Sequence, residues 1–198
     1  MDPLALIQAQ FEASAEVKRQ AGKVLAPVIA KAAEVVTATF KGGGRLLLCG
    51  NGGSAADCQH LAAEFVSALN HDAPRAALSA IALTTDTSFL TANANDFGFD
   101  HVFERQVEAH GRPGDTLLAI STSGNSKNVL RALERARSQG LKTILLTGEK
   151  PSVCSAAAEL SIHVPSRETQ RIQESHITIG HILCDLVERA LFPGLRQG

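Results

Sequence analysis

Past residue 44 the apolar positions fall into two alternating rhythms. Short, nearly unbroken apolar runs at 45–49, 80–84, 116–121, 143–147 and 160–164 have the length and content of buried strands. Between them lie the segments 55–69, 103–110, 126–139 and a weaker 153–158, where apolar residues recur at spacings of three and four, as on one helical face. A longer helical segment, 169–191, is stopped by Phe192-Pro193-Gly194. Ahead of the first strand the pattern predicts two helices. One is alanine-rich and runs from residue 4 to about residue 20, and the other has Pro27 in its first turn and ends before Gly42-Gly43-Gly44. Strand–helix repetition of this kind predicts an α/β fold with a mostly parallel sheet covered on both faces, whose ligands bind at the carboxyl ends of the strands. No repeat, linker or low-complexity tract interrupts the 198 residues, so the expectation is one domain, with a helical segment 1–41 packed on an α/β core 42–198.

Charge and composition narrow the partners. Nineteen basic residues face 20 acidic ones, which gives no field that would favour nucleic acid or an anionic membrane. Tryptophan and tyrosine are absent, which argues against a base-stacking surface, although eight phenylalanines remain. The apolar runs are too short to span a membrane, and the N-terminal segment lacks the basic start and apolar stretch of a secretory signal. Cys49, Cys58, Cys154 and Cys184 form no CxxC pair and sit in apolar surroundings, as structural thiols of a cytoplasmic protein do.

Three groups of residues carry candidate chemistry. Cys49-Gly50-Asn51-Gly52-Gly53-Ser54 joins the first strand to a helix, and such a turn offers backbone N–H groups and a positive helix end to an anion. It is neither GxGxxG nor a lysine-bearing P-loop, and a tight turn capped by Ser54 would read the same way. Ser121-Thr122-Ser123-Gly124-Asn125-Ser126 repeats the arrangement after the third strand, with hydroxyls able to hold phosphate oxygens without an arginine. Two such loops on one parallel sheet point to a phosphosugar site. On the first helix His60 and Glu64 share a face at i, i+4, suited to metal ligation or acid–base work and equally to a surface pair. On the last helix Gln173 and His181 point within about 80° of each other, with Glu174 and His176 nearby. His181 lies in an apolar run, where a core histidine is the plainer alternative. A carboxylate, a glutamine and two histidines are N and O donors that fit a divalent ion such as zinc without thiolates. His71, His101, His110 and His163 read as loop or surface residues. The segment Asn95-Asp96-Phe97-Gly98-Phe99-Asp100 reads as a polar turn that either meets sugar hydroxyls or shapes a loop.

Taken in order, Gly50 to Ser54, His60 with Glu64, Asn95-Asp96, Ser121 to Ser126, and Arg171-Ile172-Gln173-Glu174 followed by His181 resemble the bacterial phosphoheptose isomerase family of the sugar isomerase (SIS) group over nearly the whole chain. The resemblance implies a three-layer, flavodoxin-like fold with a five-stranded parallel sheet. It also implies a homotetramer with sites between subunits, and isomerisation of sedoheptulose 7-phosphate to a glycero-manno-heptose 7-phosphate on the route to lipopolysaccharide heptose. Substrate contacts fall on Asn51, Gly52, Gly53, Ser54, Glu64, Asn95, Asp96, Ser121, Thr122, Ser123, Ser126 and Gln173. Zinc, one ion per subunit, falls on His60, Glu64, Gln173 and His181, and the acid–base pair on Glu64 and His181. Two positions depart from the family pattern: Ala68 replaces an arginine, and Gln170 replaces an aspartate found in some members. Alternatives are a non-catalytic adaptor of the same fold that binds the bacterial replication initiator, and a domain that senses phosphosugars without turnover. Retention of both Glu64 and His181 favours the enzyme.

Overall fold

A computed structural model describes residues 2–70 and 74–194, and the loop reading of His71 lies outside them. In chain order the elements are α1 Pro3–Lys41, β1 Leu46–Gly50, α2 Gly53–Val66, β2 Ala80–Ala82, α3 Thr87–Phe97, a 3-10 turn Phe99–His101, α4 Val102–His110, β3 Thr116–Ser121, α5 Lys127–Ser138, β4 Lys142–Gly148, α6 Val153–Ala157, β5 Leu160–Val164 and α7 Thr169–Leu191. The five strands form one parallel sheet in the order β2-β1-β3-β4-β5.

Alternation along each strand divides the core in two. Leu46, Leu48, Leu118, Ile120, Ile144 and Leu146 face the layer of α1, α2 and α7. Leu47, Cys49, Leu117, Ala119 and Leu145 face the opposite layer, built mainly by α4 and α5. The chain moves outward from β1 to β2 and then returns to place β3 on the other side of β1, so the strand order reverses between β1 and β3. Gly50 at the end of β1 lies opposite Ile120 near the end of β3, which brings the two polar loops side by side at that reversal.

Two local expectations give way. The N-terminal region is one helix of 39 residues, with Pro27 in its interior. An interior proline removes a backbone hydrogen bond and costs about 3 kcal/mol. Ala21, Leu25, Ile29, Ala32 and Val36 form a buried stripe on both sides of it, and that burial carries the helix through. Thr87–Phe97, which has no apolar period and buries only Asn93, is a helix started by Asp86, whose side chain accepts from the Phe89 N–H at 2.9 Å.

Helices α2 and α7 approach closely where Leu61 lies on Gly180. A Cβ on Gly180 would stand 2.6 Å from both δ-carbons of Leu61, so glycine sets the helix separation there. Gly180→Val should therefore force α2 and α7 apart and lower unfolding free energy by about 1–3 kcal/mol, the range for overpacked cores. Urea denaturation at constant m-value measures this, and an unchanged midpoint would show that the helices do not need the contact.

Candidate active site

The glycine-rich turn after β1 owes its path to Gly52, whose φ of +57° belongs to a region that side-chain-bearing residues rarely adopt. Gly52 is the N-cap of α2, and no side chain caps the helix. Ser54 is buried inside the first turn and is not the cap. The start of α5 is similar. Its N-cap, Ser126, makes no side-chain capping bond, and its hydroxyl lies 3.1 Å from that of Ser121. Two helix N-termini thus reach the reversal of the sheet, neither capped by the side chain of its N-cap residue, while the Val129 N–H of α5 is taken by Asn128 Oδ1.

Beside them lies a cavity of about 260 Å³. Thr122, Ser123 and Asn125 line it from the loop after β3, Gly148, Glu149 and Lys150 from the loop after β4, and Thr169 and Ile172 from α7. Gln173, next to Ile172, lays its amide on the first turn of α2, where a Cβ on Gly53 would come within 2.8 Å of Nε2. Glycine at 53 is needed for this approach.

About two turns further along α2, the imidazoles of His60 and His181 meet edge to face, with 2.8 Å between their Nε2 atoms. Glu64 Oε1 lies 3.5 Å from His60 Nε2. The donor atoms of His60, Glu64 and His181 all fall within 4.8 Å of one another. In the absence of a cation, one Nε2 must carry a proton that the other accepts. A divalent ion in place of that proton uses both nitrogens and the carboxylate, so the donor set fits a metal. Asp57 lies on the same face of α2, half-buried. Burial pushes its carboxyl above the ordinary range, and the positive charge of His60 and His181 acts in the opposite direction.

The remaining candidates are dispersed. Asn95 and Asp96 are not in a turn. They are exposed on the last turn of α3, where the Asn95 amide donates to Asp96 at 2.8 Å. His101 pairs with Glu104, and His163 lies within β5 with its Nδ1 3.0 Å from the Gly148 carbonyl. Asp57, Asn128 and Arg75 escape a reading by motif. Asp57 alone leaves a signal, its i, i+3 spacing to His60.

Residues 10–148 match the family of the SIS domain. A phosphoheptose isomerase of a Roseiflexus species is 54% identical over 183 residues, 92% of each chain. The solved phosphoheptose isomerase of Francisella tularensis superposes with a TM-score of 0.91 at 37% identity, covering 96% of this chain and all of that one. That of Neisseria gonorrhoeae gives 0.88 at 43% identity, covering 94% and 99%. The chain belongs to the phosphoheptose isomerases of the SIS domain family. Its α/β fold is the family's, and so is the five-stranded parallel sheet.

Ala68, one of the two departures from the resemblance, is buried. The guanidinium of Arg75 closes the end of α2. Arg75 donates to the carbonyls of Glu64 and Phe65 at 2.8 and 2.9 Å and to Glu188 Oε1 on α7 at 2.8 Å. Its side chain is buried, and Glu188 also accepts from the Leu69 N–H. The helix of His60 and Glu64 is thereby tied to the helix of His181. Arg75→Met should take the guanidinium away from the buried Glu188 carboxylate, which keeps the Leu69 N–H, and lower stability by about 1.5–3 kcal/mol, the scale of a hydrogen bond to a charged group, read as a fall in the urea midpoint. Glu188→Gln in the same background should restore part of it.

His176, wholly buried, donates from Nε2 to the Thr147 carbonyl at 3.3 Å, and its Nδ1 has no hydrogen-bond partner among the described residues. Burial lowers its pKa from the ordinary 6.5 to about 4, against the opposing pull of that hydrogen bond. The unfolded chain then binds this proton near pH 6.5 and the folded chain near pH 4. The stability it contributes is present above pH 6.5 and is lost as pH falls through the window between. Urea midpoints taken from pH 7 to pH 4.5 should decline, and should decline less in His176→Gln.

Proposed function

We propose that the protein is a ketose–aldose isomerase that converts sedoheptulose 7-phosphate to D-glycero-D-manno-heptose 7-phosphate, an early step toward lipopolysaccharide heptose. The observation that carries the proposal is the convergence of His60, Glu64 and His181 beside two uncapped strand–helix turns. That arrangement separates a phosphate end from a proton-transfer end.

Isomerisation moves a proton from C1 of the ketose to C2 and shifts the carbonyl from C2 to C1. The phosphate is held by the loop 121–126 with Asn51, Gly52 and Gly53, and its binding energy orients carbons that lie beyond it. Glu64 then accepts the C1 proton as a base, leaving an enediol(ate), and returns the proton to C2. His181 takes the proton leaving the C1 hydroxyl and supplies one to the C2 oxygen, a role suited to an imidazole with a reference pKa near neutrality. Gln173, reaching from α7 to the first turn of α2, and Asn95 and Asp96 on α3 supply hydrogen bonds to the sugar. Zinc held by His60, Glu64 and His181 would supply Lewis-acid stabilisation of the developing oxygen charge, while the Gln173 amide, expected from the resemblance as a fourth ligand, lies against Gly53 and apart from these three donors. Presence of both Glu64 and His181 in one cluster favours an enzyme over an initiator-binding adaptor or a silent phosphosugar sensor.

Assembly as a homotetramer is supported by the outer half of α1. Leu4, Ile7 and Phe11 recur at spacings of three and four there and are 53–74% exposed, a stripe that a second copy would cover. His60, Asn95 and Asp96 are also exposed, as expected of a site completed by a neighbouring subunit. No helix among the described residues is long and apolar enough to cross a membrane, and all four cysteines are free and buried, which fits a reducing cytoplasm.

Purified protein supplied with sedoheptulose 7-phosphate should form the aldose. Glu64→Gln and His181→Ala should each lower kcat by about 100-fold or more, the scale of general acid–base catalysis. Chelation should remove a divalent ion whose calorimetric binding is lost in His60→Ala. Absence of turnover by a folded, sugar-phosphate-binding protein would overturn the isomerase reading.

A further inference from the structure

We infer that Asn128 is a positioning residue for this site: it fixes which hydrogen-bonding group Asn51 turns toward the substrate, and holds the two substrate loops together. The inference rests on the isomerase reading in taking Asn51 as a substrate contact.

Asn128 is the second residue of α5, only 3% exposed, and no motif marks it. Its amide and that of Asn51 bond reciprocally across the reversal of the sheet. Asn51 Nδ2 donates to Asn128 Oδ1 at 2.9 Å, and Asn128 Nδ2 donates to Asn51 Oδ1 at 2.8 Å. These bonds join residues 77 apart in sequence, one in the loop that follows β1 and one in the first turn of α5, which the loop after β3 opens.

A reciprocal amide pair is satisfied equally well if both amides are flipped, so the pair alone does not choose its own direction. The start of α5 makes the choice. The Val129 N–H, one of the helix's first N–H groups and thus without an intrahelical acceptor, donates to Asn128 Oδ1 at 2.9 Å. That bond requires oxygen at this end of the Asn128 amide and places its NH2 on Asn51 Oδ1. Asn51 is then fixed in turn, with one N–H and one lone pair left for a ligand at its half-buried edge. The polarity of a backbone group on α5 is passed through Asn128 to a side chain on the other loop.

Asn128→Asp separates this role from a structural one. A carboxylate keeps the size and still accepts from Val129 and from Asn51 Nδ2, at a helix N-terminus that favours negative charge. It has no donor for Asn51 Oδ1, and two oxygens would face each other. The variant should retain its fold by far-UV circular dichroism and urea midpoint, yet lose roughly tenfold in kcat/KM, the scale of one misdirected hydrogen bond. A mutant cycle with Asn51→Ala, Asn128→Ala and the double variant should give a double no worse than Asn51→Ala alone, within about twofold. Should Asn128→Ala fail to fold, Asn128→Ser takes its place in the cycle. Full kcat/KM in Asn128→Asp, losses that multiply in the double variant, or an Asn51→Ala of undiminished activity would each overturn the inference. Turnover by the unmutated protein tests the isomerase reading separately. Were turnover absent, the same cycle, read as calorimetric affinity for sedoheptulose 7-phosphate, still decides the role of Asn128.

Discussion

The close approach of α2 and α7 at Leu61 and Gly180 is the constraint on which the active site depends. The residues next to this contact are His60 and His181, so the separation of the helices at one glycine sets the distance between two imidazoles. Side chains can adjust by rotamer, but packed helices change separation in discrete steps, because interiors are dense and deform little. Arg75 and Glu188 make a second tie near the end of α2, through backbone carbonyls rather than apolar contact. Glu64 lies one turn beyond the first tie and its carbonyl is part of the second, so the C-terminal half of α2 is held against α7.

The other half of the site depends on topology rather than on side-chain packing. Reversal of strand order between β1 and β3 brings two strand–helix turns together, and each ends in a helix whose N-cap residue makes no side-chain capping bond. Anion binding there needs no arginine, since backbone N–H groups and serine hydroxyls supply neutral donors in fixed positions. The amide pair of Asn51 and Asn128 joins these turns, while Gln173 reaches from α7 to the first of them. One helix, α7, therefore serves both ends of the site, with Gln173 near the phosphate loops and His181 at the proton-transfer cluster.

Much of the fold was legible because buried parallel strands are continuous apolar runs and the helices between them are amphipathic. All five strands lie where those runs predict, within one or two residues at their ends. The single helix α1 was not legible: Pro27 and Gly22 are local signals for a break, and the burial that overrides them comes from α7 and the sheet. Nor was α3, whose residues carry no apolar stripe and whose start depends on the capping carboxylate of Asp86. Within the site, His60 and Glu64 could be paired by spacing, and Asp57 carried a signal only in its i, i+3 spacing to His60, while nothing local marked Asn128.

By itself the sequence determined an alternation of strands and helices, two anion-suited turns, and a histidine and a carboxylate on one helical face. These are properties of neighbours within a few residues, and local geometry and periodicity suffice to relate them. Tertiary structure alone decided that His181 meets His60 across 121 positions, that Arg75 closes α2 onto Glu188, and that Asn128 faces Asn51. Such pairings depend on the separation of packed helices and on the order of strands in the sheet, and residue spacing along the chain carries no measure of either.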